Sequence, residues 1–326
     1  MLKEPERVAN QKKNEEMEKE LIRLNEIMEQ IDGKVWEEQM SGPQYPTIFI
    51  VGAPRSGTTL LSQVLVNYFR LGYVSNIMAR FYKAPAFGAR FSHLLMGTRL
   101  PQENSDLYIS NFGRTYDLLE PHEFTYFWAR WFGNKNETDY LDNHVFDLID
   151  QGVLLKQLGD IERGQAFPVV YKNLFLSYAI AFLAEVLPKA IFIFIKREPI
   201  FNAMSLLNAR EQFYGSKDKW LSVKPKEYPM LKSLMPYEQV LGQVFYINKN
   251  IEKALSKLNE NRVIQVFYED FCAKPKQFLN SFADCVRYNG YELQRLFDVP
   301  DKFEVINEKV SELDEELMRK ALIKYL

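Results

Sequence analysis

The chain has 326 residues, with 41 basic and 43 acidic side chains and a formal net charge of −2, so no global field would hold nucleic acid or an anionic membrane and any charged ligand must be captured locally. Hydrophobic residues make up 47% and aromatics 14%, enough for a full core in one large α/β domain or two smaller ones, which excludes disorder over most of the chain. The only cysteines are Cys272 and Cys285, too few for a disulfide framework or a structural zinc site, and His93, His122 and His144 lie far apart without HExxH spacing, so no metal ligand set is visible.

The N-terminal stretch is charged rather than apolar, which argues against a signal peptide, and no stretch reaches the ~18 apolar residues of a membrane span. The longest apolar tract, Phe175 to Leu187, carries Glu185. The expectation is a soluble, cytoplasmic protein.

Within residues 1–40, Met17, Leu21, Leu24, Met28, Ile31 and Val35 recur at alternating spacings of four and three, an a/d helical stripe. It is shorter than a convincing coiled coil, so docking on the chain's own core and pairing with a second copy to form a homodimer both stay open. Ser41, Gly42, Pro43 and Pro46 break the segment.

Beyond the break, short apolar runs alternate with helix-length amphipathic segments. Ile48 to Val51 leads into a helix from Gly57 to Phe69, and Pro168 to Tyr171 into Phe175 to Leu187. Ala190 to Ile195 leads into Pro199 to Glu211, and Val263 to Phe267 into Pro275 to Tyr288. Runs such as IFIFI are apolar at every position, as a strand covered on both faces requires, and the alternation implies right-handed crossovers and a parallel sheet. The fold expected is a doubly wound, three-layer α/β/α arrangement of the P-loop NTPase-like kind.

Between the first two of these runs lies a helical and irregular insertion dense in aromatics, including Phe81, Tyr82, Tyr126, Trp128 and Trp131. It reads either as core or as a lid or acceptor-side subdomain. Gln212 to Pro236, with Tyr214, Gly215 and Trp220, reads as a mobile loop over the acceptor. Asn307 to Leu326 reads as an amphipathic helix with Val310, Leu313, Leu317 and Ala321 on one side.

The strongest signal is TIFIVGAPRSGTTLLSQVL, an apolar strand running into Gly52-Ala53-Pro54-Arg55-Ser56-Gly57-Thr58-Thr59 and then a helix. Strand, glycine-containing turn and helix N-terminus together aim backbone N–H groups and a helix dipole at one point, where a phosphate is the expected occupant. The Gly52 to Gly57 spacing is that of GxxxxGK[ST], but Thr58 replaces the lysine and the cation moves to Arg55. A phosphoryl transferase of this class holds Mg²⁺ with an acidic residue ending a neighbouring strand. Here later strands end in Tyr171-Lys172-Asn173, Lys196-Arg197-Glu198 and Tyr268-Glu269-Asp270, and two of the three finish on cations. That disfavours a magnesium-dependent kinase, kept as an alternative beside a non-catalytic nucleotide-binding module, and favours a donor whose charge is met by side chains.

These residues resemble the sulfotransferase family that uses 3′-phosphoadenosine 5′-phosphosulfate (PAPS). APRSGTT at 53–59 is similar to the family's 5′-phosphosulfate loop, FIFIKREPIFNAMSLL at 192–207 to its 3′-phosphate block, with Arg197, Pro199 and Ser205 at the family spacing, and VIQVFYEDFCAKP at 263–275 to its late strand. The resemblance covers residues 46–290 and implies residues 41–326 as a sulfotransferase domain behind the added segment 1–40. It implies that Ser56, Gly57, Thr58 and Thr59 hold the 5′-phosphate, that Arg55 stabilises the leaving-group charge, that Arg197 and Ser205 grip the 3′-phosphate, and that Tyr268 lies against the adenine. No metal is implied.

The catalytic base is open. Lys172 matches the lysine of the family's Lys-Thr-His stretch, but the histidine is absent, and Asn76 stands where another branch has its glutamate. Glu120, His122 and Glu123 in LLEPHEFTYFWARW are the remaining candidates, unless Pro-His-Glu only caps the following helix. The acceptor would be a small molecule, glycan or lipid headgroup. Trp128, Trp131, Tyr126, Phe81 and Tyr82 would stack on it, and Arg80, Lys83 and Arg90 would suit an anionic one.

Overall fold

The computed structural model describes residues 7–9, 12, 14–36, 41–97, 108, 110, 114–133, 137–307 and 312–325. Five strands, β1 (Ile48–Val51), β2 (Gly72–Tyr73), β3 (Val169–Lys172), β4 (Ile191–Lys196) and β5 (Val263–Phe267), form one parallel sheet in the order β2-β3-β1-β4-β5. The helices are α1 (Glu15–Asp32), α2 (Thr58–Tyr68), α3 (Pro85–Met96), α4 (Thr125–Phe132), α5 (Asn143–Asp147), α6 (Gln151–Gln165), α7 (Ile180–Val186), α8 (Pro199–Tyr214), α9 (Tyr228–Leu231), α10 (Pro236–Leu255), α11 (Tyr268–Ala273), α12 (Pro275–Tyr288) and α13 (Glu312–Leu322).

The IFIV and IFIFI runs sort by side-chain parity. Ile48, Ile50, Ile191, Ile193 and Ile195 enter one core with residues of α2, α11 and α12, whereas Phe49, Val51, Phe192 and Phe194 enter the other with α7, α8 and α10. On that second face Phe49 stacks between Tyr171 at 5.7 Å and Phe192 at 5.4 Å. A period of two puts alternate residues on opposite faces, so a strand with helices on both sides must be apolar throughout. β5, at the edge, is only partly buried and ends on exposed Phe267.

The expected strands and crossover helices are present, with three adjustments. β2, two residues long, lies inside the insertion and pairs with β3. The expected Phe175–Leu187 helix is a 3₁₀ turn, Leu174–Tyr178, followed by α7, because the Asn173 side chain caps the turn by accepting from Phe175 N at 2.8 Å. In α13, Met318 and Ala321 are buried and Leu317 half-buried, while Val310 and the side chain of Leu313 lie outside the described residues.

The N-terminal helix docks on the insertion with a face rotated from the expected stripe. Leu21 and Met28 point inward, but Met17, Leu24 and Ile31 stay exposed, and the fully buried residue is Asn25. Its side-chain amide donates to Arg80 O at 2.7 Å and its oxygen accepts from Lys83 N at 2.9 Å. Asp32 accepts from Phe87 N at 2.9 Å in the first turn of α3, and burial pushes its carboxyl up to about 6.

The connection into β1 is pinned by Glu162 of α6, whose carboxylate accepts from Gln44 N at 2.6 Å and Tyr45 N at 3.0 Å. Burial outweighs these two bonds and raises the Glu162 carboxyl from 4.5 to about 7. A raised carboxyl pKa favours the folded state below its unfolded value, so this contribution is complete below about pH 4.5 and is lost as pH rises through about 7. Glu162→Gln is therefore expected to flatten the decline in urea midpoint between those pH values. An identical slope in variant and parent would refute this.

Candidate functional site

The loop after β1 is shaped by its neighbours. A Cβ on Gly52 would stand 2.6 Å from Ile195 O, and one on Gly57 would stand 2.4 Å from Cδ2 of Tyr268. Gly57, at φ 98°, is also left-handed, as is Arg55 at φ 68°. Gly57 is the N-cap of α2 and gives no side-chain cap, so the first-turn N–H groups and the dipole of α2 are directed at the loop's concave side.

The end of β4 and the start of α8 hold this loop from the other side. Asn202, fully buried, donates to Pro54 O at 2.6 Å, and Arg197 donates to Arg55 O at 3.0 Å. Arg55 Nε donates to Ser205 Oγ at 3.1 Å. Two of these links fix the Pro54–Arg55 backbone and the third holds the Arg55 side chain, all from the first two turns of α8 and the residue leading into it, and Glu198 caps that helix by accepting from Phe201 N at 2.9 Å. The Arg197 guanidinium also lies 4.8 Å from the centroid of the Tyr268 ring and donates to Ile306 O and Asn307 Oδ1. Burial pushes the Tyr268 hydroxyl up to about 12, so it stays protonated, and it accepts from Ile306 N at 3.4 Å.

Lys172 closes the third side. Its register opposite Ile50 brings it beside the loop, where Nζ donates to Thr59 Oγ1 at 3.0 Å and pairs with Glu123 Oε1 at 2.8 Å. Lys172 is 5% exposed, whereas the Glu123 side chain keeps 36% of its surface. Burial pushes the Glu123 carboxyl up, but Lys172, with His122 and Arg114, outweighs it and holds the group below its usual range. Glu123 is placed by its own carbonyl, which accepts from Asn173 Nδ2 at 2.9 Å.

The other two candidates for the base stand differently. His122 Nδ1 accepts from Phe124 N at 2.8 Å, so the neutral ring carries its proton on Nε2. Glu120 is 8% exposed and accepts at 3.0 Å from Nε2 of Gln63, on the second turn of α2.

Residues 46–286 match the family model described as "Sulfotransferase family". The chain belongs to the sulfotransferase family. Solved structures resemble it at low identity. Sulfotransferase STF1 from Mycobacterium tuberculosis H37Rv is 14% identical, with 90% of this chain and 75% of that one covered and a TM-score of 0.49. STF9 from Mycobacterium avium is also 14% identical, covering 92% and 72% with a TM-score of 0.47. A sulfotransferase from Alicyclobacillus acidocaldarius is 14% identical, covering 86% and 94% with a TM-score of 0.42. A search of curated proteins finds no match.

Not every sequence-predicted residue of this member of the sulfotransferase family reaches the site. Arg55, Ser56, Gly57, Thr58, Thr59, Lys172, Arg197, Ser205 and Tyr268 converge, with Glu123 and His122 beside them. Lys196 instead turns to Glu252 at 3.2 Å, lying over Phe194 and Phe267. The expected stacking platform is divided: Trp128 is fully buried among Phe49, Phe127, Phe132 and Tyr171, and Tyr82 is buried too, whereas Phe81 and Trp131 are half-buried and Tyr126 is exposed. Tyr126 donates to Glu18, Lys83 pairs with Glu29 at 3.0 Å and Arg90 lies over Trp36, so these groups meet the N-terminal segment.

The segment Gln212–Pro236 is tied down rather than loose. Trp220 is buried with the Arg210 guanidinium 4.8 Å from its centroid, and Gln243 donates to Leu221 O and Val223 O. Sequence reasoning missed Asn202, Ile306 and Asn307. Asn202 carried a signal, since it lies on the helix turn between Arg197 and Ser205, but the backbone of Ile306 and the side-chain oxygen of Asn307, more than a hundred residues from Arg197, leave none. Among the described residues no group of three or more His, Cys, Asp or Glu is placed to hold a metal ion, and no helix is long and apolar enough to cross a membrane.

Proposed function

We propose that the protein transfers the sulfuryl group of PAPS to a hydroxyl or amine of an acceptor, with residues 41–326 as the catalytic domain. The observation that carries this reading is Lys172, a buried cation that joins the phosphate loop, through Thr59, to a carboxylate on the open side of the site, Glu123. The loop residues fit an anionic donor on their own evidence. Ser56 Oγ and Arg197 Nε are buried without a hydrogen-bond partner, a costly arrangement that a phosphate oxygen would relieve.

Bound there, PAPS supplies an activated sulfuryl group and leaves as 3′,5′-bisphosphoadenosine. The amides of Ser56, Gly57, Thr58 and Thr59 hold the 5′-phosphate at the α2 N-terminus, and Arg197 with Ser205 selects the 3′-phosphate. Tyr268 presents its ring to the nucleotide base. Glu123, ionised at neutral pH, takes the proton of the acceptor hydroxyl as its oxygen bonds to sulfur and the sulfur–oxygen bond to the 5′-phosphate breaks. Charge then grows on the departing phosphate oxygen, and Arg55 and Lys172 are the cations that would stabilise it.

Glu123 is the base in this reading because His122 has its Nδ1 lone pair engaged and Glu120 is turned toward Gln63. In a thermal-shift assay, 3′,5′-bisphosphoadenosine without Mg²⁺ is expected to raise the melting temperature more than ADP with Mg²⁺ does. Equal or greater stabilisation by ADP with Mg²⁺ would point to phosphoryl transfer and sink the reading.

A further inference from the structure

We propose that Arg7 and Arg114 form the anion-binding end of the acceptor site, so that the acceptor is a hydroxyl compound already bearing a carboxylate, phosphate or sulfate. This rests on the sulfotransfer reading above and names its substrate class. The two guanidiniums come from distant parts of the chain to one ring, Phe213 in the last turn of α8: Arg114 Cζ is 4.8 Å and Arg7 Cζ 5.9 Å from its centroid. The N-terminal segment is fixed there by Val8 N donating to Phe213 O at 2.9 Å.

The chain next to Arg114 is tethered to the turn that carries the proposed base. Its neighbour Thr115 donates from Oγ1 to Pro121 O at 3.0 Å and accepts from Asn76 Nδ2 at 2.9 Å, which sets Arg114 beside the turn that carries His122 and Glu123. Burial and then the charge of Arg7 hold the Arg114 guanidinium below its usual pKa, while Arg114 in turn lowers that of Glu123. Like charges gathered at one ring repel, and an oxyanion between them is stabilised by both. Both arginines also have partners within the chain, but each planar guanidinium offers five N–H donors in a fork suited to an oxyanion. An acceptor held at its anionic end by this pair would present its hydroxyl toward Glu123. Of the cations expected in that role, Arg90 lies instead over Trp36 of the N-terminal segment, and Lys83 pairs with Glu29.

The test uses the full chain saturated with 3′,5′-bisphosphoadenosine and titrated calorimetrically with 4-hydroxybenzoate and with neutral 4-hydroxybenzamide. The carboxylate is expected to bind about tenfold or more tightly than the amide, the gain of one charge-assisted contact. Arg114→Ala and Arg7→Ala should each shrink that ratio, and Arg114→Lys should keep part of it. Melting shifts with bisphosphoadenosine show that each variant is folded, and Arg7→Ala, at a residue outside every helix and strand, serves if Arg114→Ala does not fold. Equal affinities in the parent, an unchanged ratio in both alanine variants, or binding of neither probe would overturn the inference. Failure of bisphosphoadenosine itself to bind removes the sulfotransfer reading and this inference together, whereas its binding without a carboxylate preference removes the inference alone.

Discussion

Glu123→Gln is expected to slow sulfuryl transfer by roughly 10²–10⁴-fold, the usual contribution of a positioned general base, while the melting shift with 3′,5′-bisphosphoadenosine persists. Glutamine keeps the shape and can still accept from Lys172, so the loss would report proton transfer rather than collapse of the site. The pH profile separates this role from a structural one. Glu123 is crowded enough for burial to push its carboxyl up, but the Lys172 ammonium 2.8 Å away reverses the direction and leaves it below its ordinary 4.5. A depressed carboxyl pKa gives a base that is competent above that value and loses activity only as pH falls below it. Lys172→Met removes the largest charge opposing burial and leaves only the smaller effects of His122 and Arg114, so the acidic limb of kcat/KM should move to higher pH. An acidic limb that stays in place in Lys172→Met, or full activity in Glu123→Gln, would rule out Glu123 as the base.

Arg197→Ala should lower the preference for 3′,5′-bisphosphoadenosine over 5′-AMP by roughly 10–100-fold, the worth of a charge-assisted contact of about 1.5–3 kcal/mol. The residue also has structural bonds. It donates to Arg55 O at 3.0 Å, to Ile306 O and to Asn307 Oδ1, and it is 6% exposed. Removing it strands these acceptors, so a fall in stability of about 1–3 kcal/mol is expected alongside. Because two effects share one residue, the decisive measurement is the ratio of the two nucleotide affinities in folded protein, with Arg197→Lys as the partner variant that keeps charge but loses the fork. A ratio that is unchanged in both variants would move the 3′-phosphate site elsewhere.

The phosphate loop, both central strands and the arginine after β4 were legible because each is a local pattern with a local cause. A strand covered on both faces must be apolar at every position, and a loop that turns between β1 and α2 under Tyr268 needs glycine at 57. β2 was not legible, since two residues carry no periodicity. The N-terminal helix was legible as a helix but not in its rotation. Its docked face is built on Asn25 and Asp32, polar residues whose partners, the Arg80 carbonyl and the Lys83 and Phe87 amides, belong to backbone more than fifty residues away.

The acceptor side shows the same division. Aromatic density between β1 and β3 announced that something large is buried there. Only packing distinguished a platform from a core, and it placed Trp128 wholly inside. Local sequence accounts for four of the five strands, the loop and the cations at the strand ends, because backbone conformation and face-by-face burial act over a few residues. Tertiary structure alone decided that Lys172 bridges Thr59 to Glu123, that Lys196 turns away, and that Arg7 meets Arg114 at Phe213. Those are meetings of side chains far apart in the chain, fixed by how the crossovers close and visible only once they have closed.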